Sequence, residues 1–212
     1  LGDHSIVYYA KWMDEYRHTP EYAFTTKWHV ARVDENLVYS PYPEAGDAIS
    51  AINEAVELLK DYENLPDSTV AVNIKYLLHL VGDMHCPMHA GRLSDRGGNG
   101  TKVKWFGQPT SLHSVWDSKI VDSARRWSYS EWTENLDRTS RQYKKSVMSG
   151  TYEEWFNETV EGAASIYNYV ENLKGETPNL SYQFVYDFSP LLEDRLLTGG
   201  YRLAYVLNSI FN

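Results

Sequence analysis

His79 and Asp83 stand four residues apart, and so do His113 and Asp117. On an α-helix that spacing stacks two side chains on one face, one turn apart. Imidazole and carboxylate together suit zinc and its first-row neighbours, and His89 lies between the pairs, just beyond Pro87, where a helix has to end or bend. The segment therefore offers a cation five ligands. A lone His-x-x-x-Asp pair is more often a surface hydrogen bond, whereas two pairs and a third histidine in one segment favour metal binding. Val70, Ile74, Leu77, Leu78 and Val81 mark the apolar stripe around the first pair, so His79 and Asp83 fall beside the buried face. An inward-facing imidazole and carboxylate need partners, and a cation supplies one for both.

The elements that position these residues follow from apolar spacing and punctuation. A first helix is expected from Asp3, its cap, to about Arg17, with Ile6, Tyr9, Ala10 and Met13 on one stripe. Asp14 and Arg17 lie three apart near its end, a spacing that also suits a simple ion pair on a solvated face. His29 follows Trp28 in an aromatic passage and reads, by itself, as structural. Residues 35 to 46 carry Pro41, Pro43 and Gly46 and read as loop. A helix from Asp47 to about Tyr62 follows, with Ile49, Ile52, Val56 and Leu59 inward.

The next helix begins near Asp67 or Ser68 and carries the first His/Asp pair. The glycine-rich stretch at 95 to 100 either brings backbone close to a ligand or merely turns the chain into a short strand or hairpin at Lys102 to Phe106. Ser111 is placed to cap the helix of the second pair. Helical spacing then runs through 130 to 149, 151 to 173 and 189 to 211, punctuated by Gly150, Pro178, Pro190 and Gly199-Gly200. These later helices contain no histidine, so their expected role is to pack around the ligand-bearing segments.

The sum is an all-α fold: a single multi-helix domain with a short β-hairpin. The chain has 212 residues, 42% hydrophobic and 14% aromatic, and no linker divides it, which argues for one packed core. Its formal net charge of −9 excludes a broad basic face of the kind that grips duplex backbone. A phosphate substrate stays open, because bound divalent ions become the dominant local positive charge. The single cysteine, Cys86, rules out an internal disulfide and leaves the compartment undetermined. No apolar run reaches the length of a membrane span, and no signal peptide is evident, so no membrane anchor is expected and the chain reads as a monomer.

Taken together and in order, "WMDEYR" at 12 to 17, "WH" at 28 to 29, "HLVGDMHCPMH" at 79 to 89, "GGN" at 97 to 99, "LHSVWD" at 112 to 117 and "GGYRLAYVLNSI" at 199 to 210 resemble the zinc-dependent single-strand nucleases of the P-one and S-one type, whose fold is shared with bacterial zinc phospholipase C. The resemblance implies a zinc cluster in a cleft. By position, Asp14, His29, His79 and Asp83 match the ligands of one buried zinc; His89, His113 and Asp117 match those of a second, more exposed one. Asp83 would bridge onward to a third, whose remaining ligands in the family are an N-terminal tryptophan and a nearby histidine that this sequence lacks. His4 does not match that histidine. The expectation is a further N-terminal segment in the gene product, or else a two-zinc variant.

The resemblance also implies hydrolysis of phosphodiesters in single-stranded DNA and RNA, removal of 3′-phosphates, and a secreted or periplasmic location. Arg17 matches the family's phosphate-contacting position and Asp14 gains a catalytic role beside it; Asn99 is a candidate nucleotide contact. Three positions depart from the family: Cys86 replaces a usual Gln, Arg32 an acidic residue, and Val30 an aromatic that can stack on a base. A phospholipase C-like phosphodiesterase with the same cluster is one alternative, and an apolar membrane-facing rim would favour it. A non-catalytic helical protein that keeps the ligands for stability is another.

Overall fold

Helices account for nearly all the regular structure in the computed structural model, which describes residues 1, 4–31, 33–41 and 46–212. The expected cap Asp3 and the departure at Arg32 lie outside the described residues. The first helix differs from expectation. Ile6–Lys11 form a 3-10 helix, and only Trp12–Tyr16 continue as α-helix, α1. Ile6, Val7, Tyr8 and Tyr9 crowd the opening turns with β-branched and aromatic side chains, which are weak α-formers.

Helix α2 (Ala48–Leu59) starts where Asp47 predicts it. The Asp47 carboxylate accepts from Ser50 N at 2.9 Å, while Asp47 N donates to Ser50 Oγ at 2.7 Å, a reciprocal cap. Ile49, Ile52, Val56 and Leu59 are all buried. The helix stops short of Tyr62, which instead opens a 3-10 turn at Tyr62–Asn64. Pro66 then holds Leu65 extended and starts α3 (Asp67–Asp83). That helix ends on the first candidate pair, and a 3-10 turn at Pro87–Ala90 carries His89.

Strands β1 (Lys102–Trp105) and β2 (Gln108–Ser111) form the expected antiparallel hairpin, with Val103 opposite Thr110. Phe106 and Gly107, both with positive φ, make its two-residue turn. Ser111 Oγ accepts from Ser114 N at 3.2 Å and caps α4 (Leu112–Ser114). The helix does not continue regularly: Val115–Lys119 make a π-helical turn before α5 (Ile120–Ala124).

The stretch expected as one helix from 130 to 149 is two, α6 (Tyr129–Leu136) and α7 (Arg141–Val147). The Asp137-Arg138-Thr139-Ser140 link has a better use than helix: Ser140 caps α7 by accepting from Tyr143 N at 3.1 Å. Helix α8 (Tyr152–Glu171) follows a Thr151–Glu154 capping box. A two-residue strand β3 (Asn179–Leu180), too short to show periodicity, pairs parallel to β1.

The last helix, α9, runs from Tyr182 to Phe211 and passes straight through Pro190 and Gly199-Gly200, which the sequence suggested as breaks. Pro190 frees a carbonyl one turn back, at exposed Tyr186, where solvent can satisfy it. Gly199 has a packing reason. A Cβ there would lie 3.2 Å from His85 Cγ, so its absence lets α9 close on the turn that follows α3.

Two buried clusters divide the interior. One joins α1, α2 and α3; the other joins the hairpin, α4–α6 and the front of α9. Helix α8 serves both, with Trp155, Phe156 and Val160 in the first and Ala163, Ile166, Tyr167 and Val170 in the second. The Pro87–Ala90 turn does the same, since Met88 belongs to one cluster and Ala90 to the other. His89 is thereby fixed at their seam.

Candidate metal centre

Three of the four candidate histidines are held by a backbone carbonyl at one ring nitrogen. His79 Nδ1 donates to Ala10 O, His89 Nδ1 to His29 O and His113 Nδ1 to Gly97 O, each at 2.7 Å. A neutral imidazole that donates from Nδ1 presents a lone pair at Nε2, and this is how metal-ligating histidines are commonly oriented. The carbonyl of Gly97 explains the GGN loop. Gly97 has φ +65°, and a Cβ there would sit 2.5 Å from the Met88 carbonyl, so only glycine brings that oxygen to His113. The loop is tied to α8 through Tyr167, which donates to Asp95 Oδ1 at 3.0 Å.

The far ring nitrogen of His79 faces further candidate ligands. His79 Nε2 lies 2.9 Å from His29 Nδ1 and 3.0 Å from Asp83 Oδ2, and His29 Nδ1 lies 3.1 Å from the same oxygen. Asp14 completes the group, Oδ1 at 3.6 Å from His29 Nδ1 and Oδ2 at 3.8 Å from His79 Nε2. His29 is thus a member of the cluster, not a lone structural histidine. Its Nε2 is buried and has no partner among the described residues. Carboxylates and imidazoles this close need either ring protons or a cation between them. Ligand atoms about 2.0–2.2 Å from a tetrahedral ion stand roughly 3.3 Å from one another, so the separations fit a cation.

A second group adjoins the first. His89 Nε2 lies 3.2 Å from Asp117 Oδ1, and the His89 and His113 rings stack with centroids 5.1 Å apart and planes 11° from parallel. Asp83 links the groups, because its Oδ1 is 3.5 Å from His89 Nδ1 while its Oδ2 faces His29 and His79. Asp117 reaches this position from the π-helical turn, a distortion frequent at functional sites.

Protonation follows the same demand for positive charge. Burial works to raise the Asp83 carboxyl, but the His89 charge and hydrogen bonds from His29, His79 and His89 hold it well below the ordinary range. Burial likewise opposes charge on His89, and the Asp83 carboxylate overrides it, lifting His89 well above the usual imidazole value. The hydrogen bond from His89 lowers Asp117.

Arg17 and Asn99 stand differently. Arg17 Nη2 contacts Asp14 Oδ1 at 3.3 Å, so the ion pair expected from spacing forms at the edge of the first group. Its Nε is buried without a partner among the described residues. Asn99 spends its side chain on the loop, donating Nδ2 to Arg96 O at 3.0 Å.

The sequence reading passed over one residue and gave another no site role. His85 is 3% exposed, donates Nδ1 to Val81 O at 2.7 Å and accepts at Nε2 from Arg202 Nη1 at 3.1 Å. Burial pushes it down to about 4, so it is a neutral bridge between α3 and α9. Arg202 is itself buried and bonded to Glu158, at 2.7 and 2.8 Å. The second is Cys86, whose sulfur falls with ligand atoms of His89 and Asp117 in one group spanning no more than 4.8 Å. The Cys86-x-x-His89 spacing was the available signal. A cavity of about 250 Å³ opens beside Cys86 and Asp117, walled by Trp116 and by α9.

A helical domain that gathers two adjoining sets of imidazole and carboxylate ligands between its two cores has the makings of a metal-binding helical enzyme. The S1/P1 Nuclease family model matches residues 2–212, and the chain belongs to that family. Nuclease S1 of Aspergillus oryzae is 27% identical over 238 residues, covering 99% of this chain and 82% of its own. Endonuclease 3 of Arabidopsis thaliana is 28% identical over 225 residues, 96% of this chain and 76% of its own. Nuclease P1 of Penicillium citrinum is 26% identical over 166 residues, 72% and 58% respectively. Among the described residues, no helix is long and apolar enough to cross a membrane.

Proposed function

We propose that this nuclease is a zinc-dependent endonuclease that hydrolyses phosphodiester bonds in single-stranded DNA and RNA and also removes 3′-phosphates from nucleotides. The observation that carries the reading is the convergence of Asp14, His29, His79 and Asp83, with Asp83 also facing His89. Those four would hold one zinc, and His89, His113 and Asp117 a second. Bound zinc supplies Lewis-acid stabilisation of phosphate charge and lowers the pKa of water to about 7.

The protein's own groups do the rest. Asp83 keeps the two ligand sets in register. Asp14 steadies Arg17 at 3.3 Å, and the guanidinium, with an unpartnered buried Nε, is placed to donate to a phosphate oxygen. His29, His79 and His89 are buried, so the reacting phosphate must come to a recess. A splayed single strand reaches a recess more readily than a stacked duplex does. A monomer acting outside the cytoplasm accords with this reading, as the family resemblance implies.

The test is cleavage of one labelled oligonucleotide presented as a single strand and as a perfect duplex. The single strand is expected to be cut and the duplex largely spared. Equal cutting of both, or of neither, would refute the substrate assignment.

A further inference from the structure

We infer that the Cys86 thiolate is a ligand of the second metal centre, making it a mixed nitrogen, oxygen and sulfur site. The inference rests on the metal-centre reading above and adds a residue to it. Cys86 caps the Pro87–Ala90 3-10 turn with extended backbone, three residues before the turn's His89. The backbone closes that register, since His89 N donates to Cys86 O at 2.9 Å. Pro87 stiffens the two-residue spacer. The third member arrives from another element, where the π-helical turn delivers Asp117 to His89 Nε2 at 3.2 Å. One ligand atom from each of Cys86, His89 and Asp117 falls within 4.8 Å of the other two, so a small side-chain rotation brings them to the roughly 3.3–3.7 Å separations of ligands held about 2.3 Å (sulfur) and 2.0–2.2 Å (nitrogen or oxygen) from one ion.

The charges agree. One thiolate and one carboxylate would neutralise a divalent ion, and the chain's other demand for cationic charge, at Asp14 and Asp83, lies on the far side of His89. Binding is an exchange in which the sulfur–metal bond forms as the thiol proton leaves to solvent. Sulfur also sets the class of metal, favouring zinc, cobalt and other borderline ions over magnesium, calcium or manganese. The His113 ring stacks on that of His89, with centroids 5.1 Å apart.

The chain's single cysteine makes the test direct, because any thiolate signal from the monomeric protein must come from position 86. Metal-free protein would be titrated with cobalt under nitrogen, following cobalt bound per chain and the near-ultraviolet thiolate-to-cobalt charge-transfer band. The band is expected to grow with the second equivalent and to vanish in Cys86→Ser. In the unsubstituted protein, bound zinc is expected to slow alkylation of the thiol by roughly tenfold or more. Loss of the sulfur is expected to weaken the second equivalent by at least about tenfold, since even partners one step removed from a metal cost 10–100-fold. Should Cys86→Ser fail to fold, the unsubstituted protein alone decides through the band and the alkylation rate. Two cobalt ions bound with no sulfur band, or alkylation unaffected by metal, would overturn the Cys86 assignment while leaving two metal centres standing. No cobalt bound at all would overturn both readings.

Discussion

The candidate ligands owe their aim to groups one bond further out, and the clearest case is Gly97. Its carbonyl orients His113, its φ of +65° suits glycine, and an added Cβ would meet the Met88 carbonyl at 2.5 Å. Gly97→Ala is expected to weaken the second metal equivalent by roughly 10–100-fold while leaving the first intact, as calorimetric titration with zinc would register. Unchanged binding at both equivalents would mean that the carbonyl does not matter. Arg17 makes a separate prediction. Arg17→Ala is expected to reduce kcat/KM on a single-stranded oligonucleotide by about 10²–10³-fold with metal content unaltered, because the lost donor acts on phosphate and not on the ions. Much at this scale could be read from sequence. Helical spacing paired His79 with Asp83, which lie 3.0 Å apart, and Pro87 marked the turn that carries His89; the same spacing placed His113 and Asp117 on one helix, whereas they stand on either side of the change from α4 to the π-helical turn. Asp14 and His29 were legible only through resemblance, because their partners lie tens of residues away and no periodicity links them. His85 went unread, and Cys86 was noted without a site role, for a related reason. A cysteine or histidine inside an apolar stretch shows nothing of Asp117 or Arg202 until the chain folds.

The elements explain why the last helices matter to a centre they do not ligate. Arg202 of α9 bonds Glu158 of α8, His85 beyond α3 and the Val147 carbonyl at the end of α7, so one buried guanidinium clamps four segments behind the candidate ligands. Arg202→Met is expected to lower the urea midpoint, by about 1–3 kcal/mol in stability, through the acceptors it leaves unpaired. Glu158 carries a pH signature. Burial works to raise its carboxyl, but hydrogen bonds and charge from Arg202 and Arg195 hold it below the ordinary value. Its stabilising share is therefore complete above the unfolded carboxyl value of about 4.3 and is lost as pH falls through the lower folded value. In Glu158→Gln, the drop in urea midpoint between pH 6 and pH 3 should be smaller than in the unsubstituted protein; an equal drop would contradict the pairing. Capped helices were the legible ones at this scale: Asp47 and Ser111 fix starts that a reader can find. Boundaries without such chemistry were not legible. The 3-10 opening at Ile6–Lys11 arises from crowding, the break at Asp137–Ser140 from competing caps, and the passage of α9 through Pro190 from packing on both sides of it.

Across the whole molecule, the candidate metal ligands occupy the seam between two cores that α8 and the Pro87–Ala90 turn hold together. Asp14, His29 and His79 come from one side and His113 and Asp117 from the other, so bound metal should bind the halves to each other. Removing it is expected to lower the melting temperature by about 5–10 °C, the equivalent of roughly 2.7 kcal/mol at a hundredfold excess over Kd for a chain of this size. A scan with and without chelator checks this, and an unchanged midpoint would argue against ions at the seam. The all-helical class was legible in the spacing of apolar residues, yet nothing in that spacing told of two cores or of a site between them. The most direct test of the central claim is the rate at which metal-stripped protein cleaves a single-stranded oligonucleotide as zinc is added back. The account predicts negligible cleavage without metal and a saturable return that His113→Ala abolishes; cleavage that survives stripping, or that zinc fails to restore to fully folded protein, would contradict it.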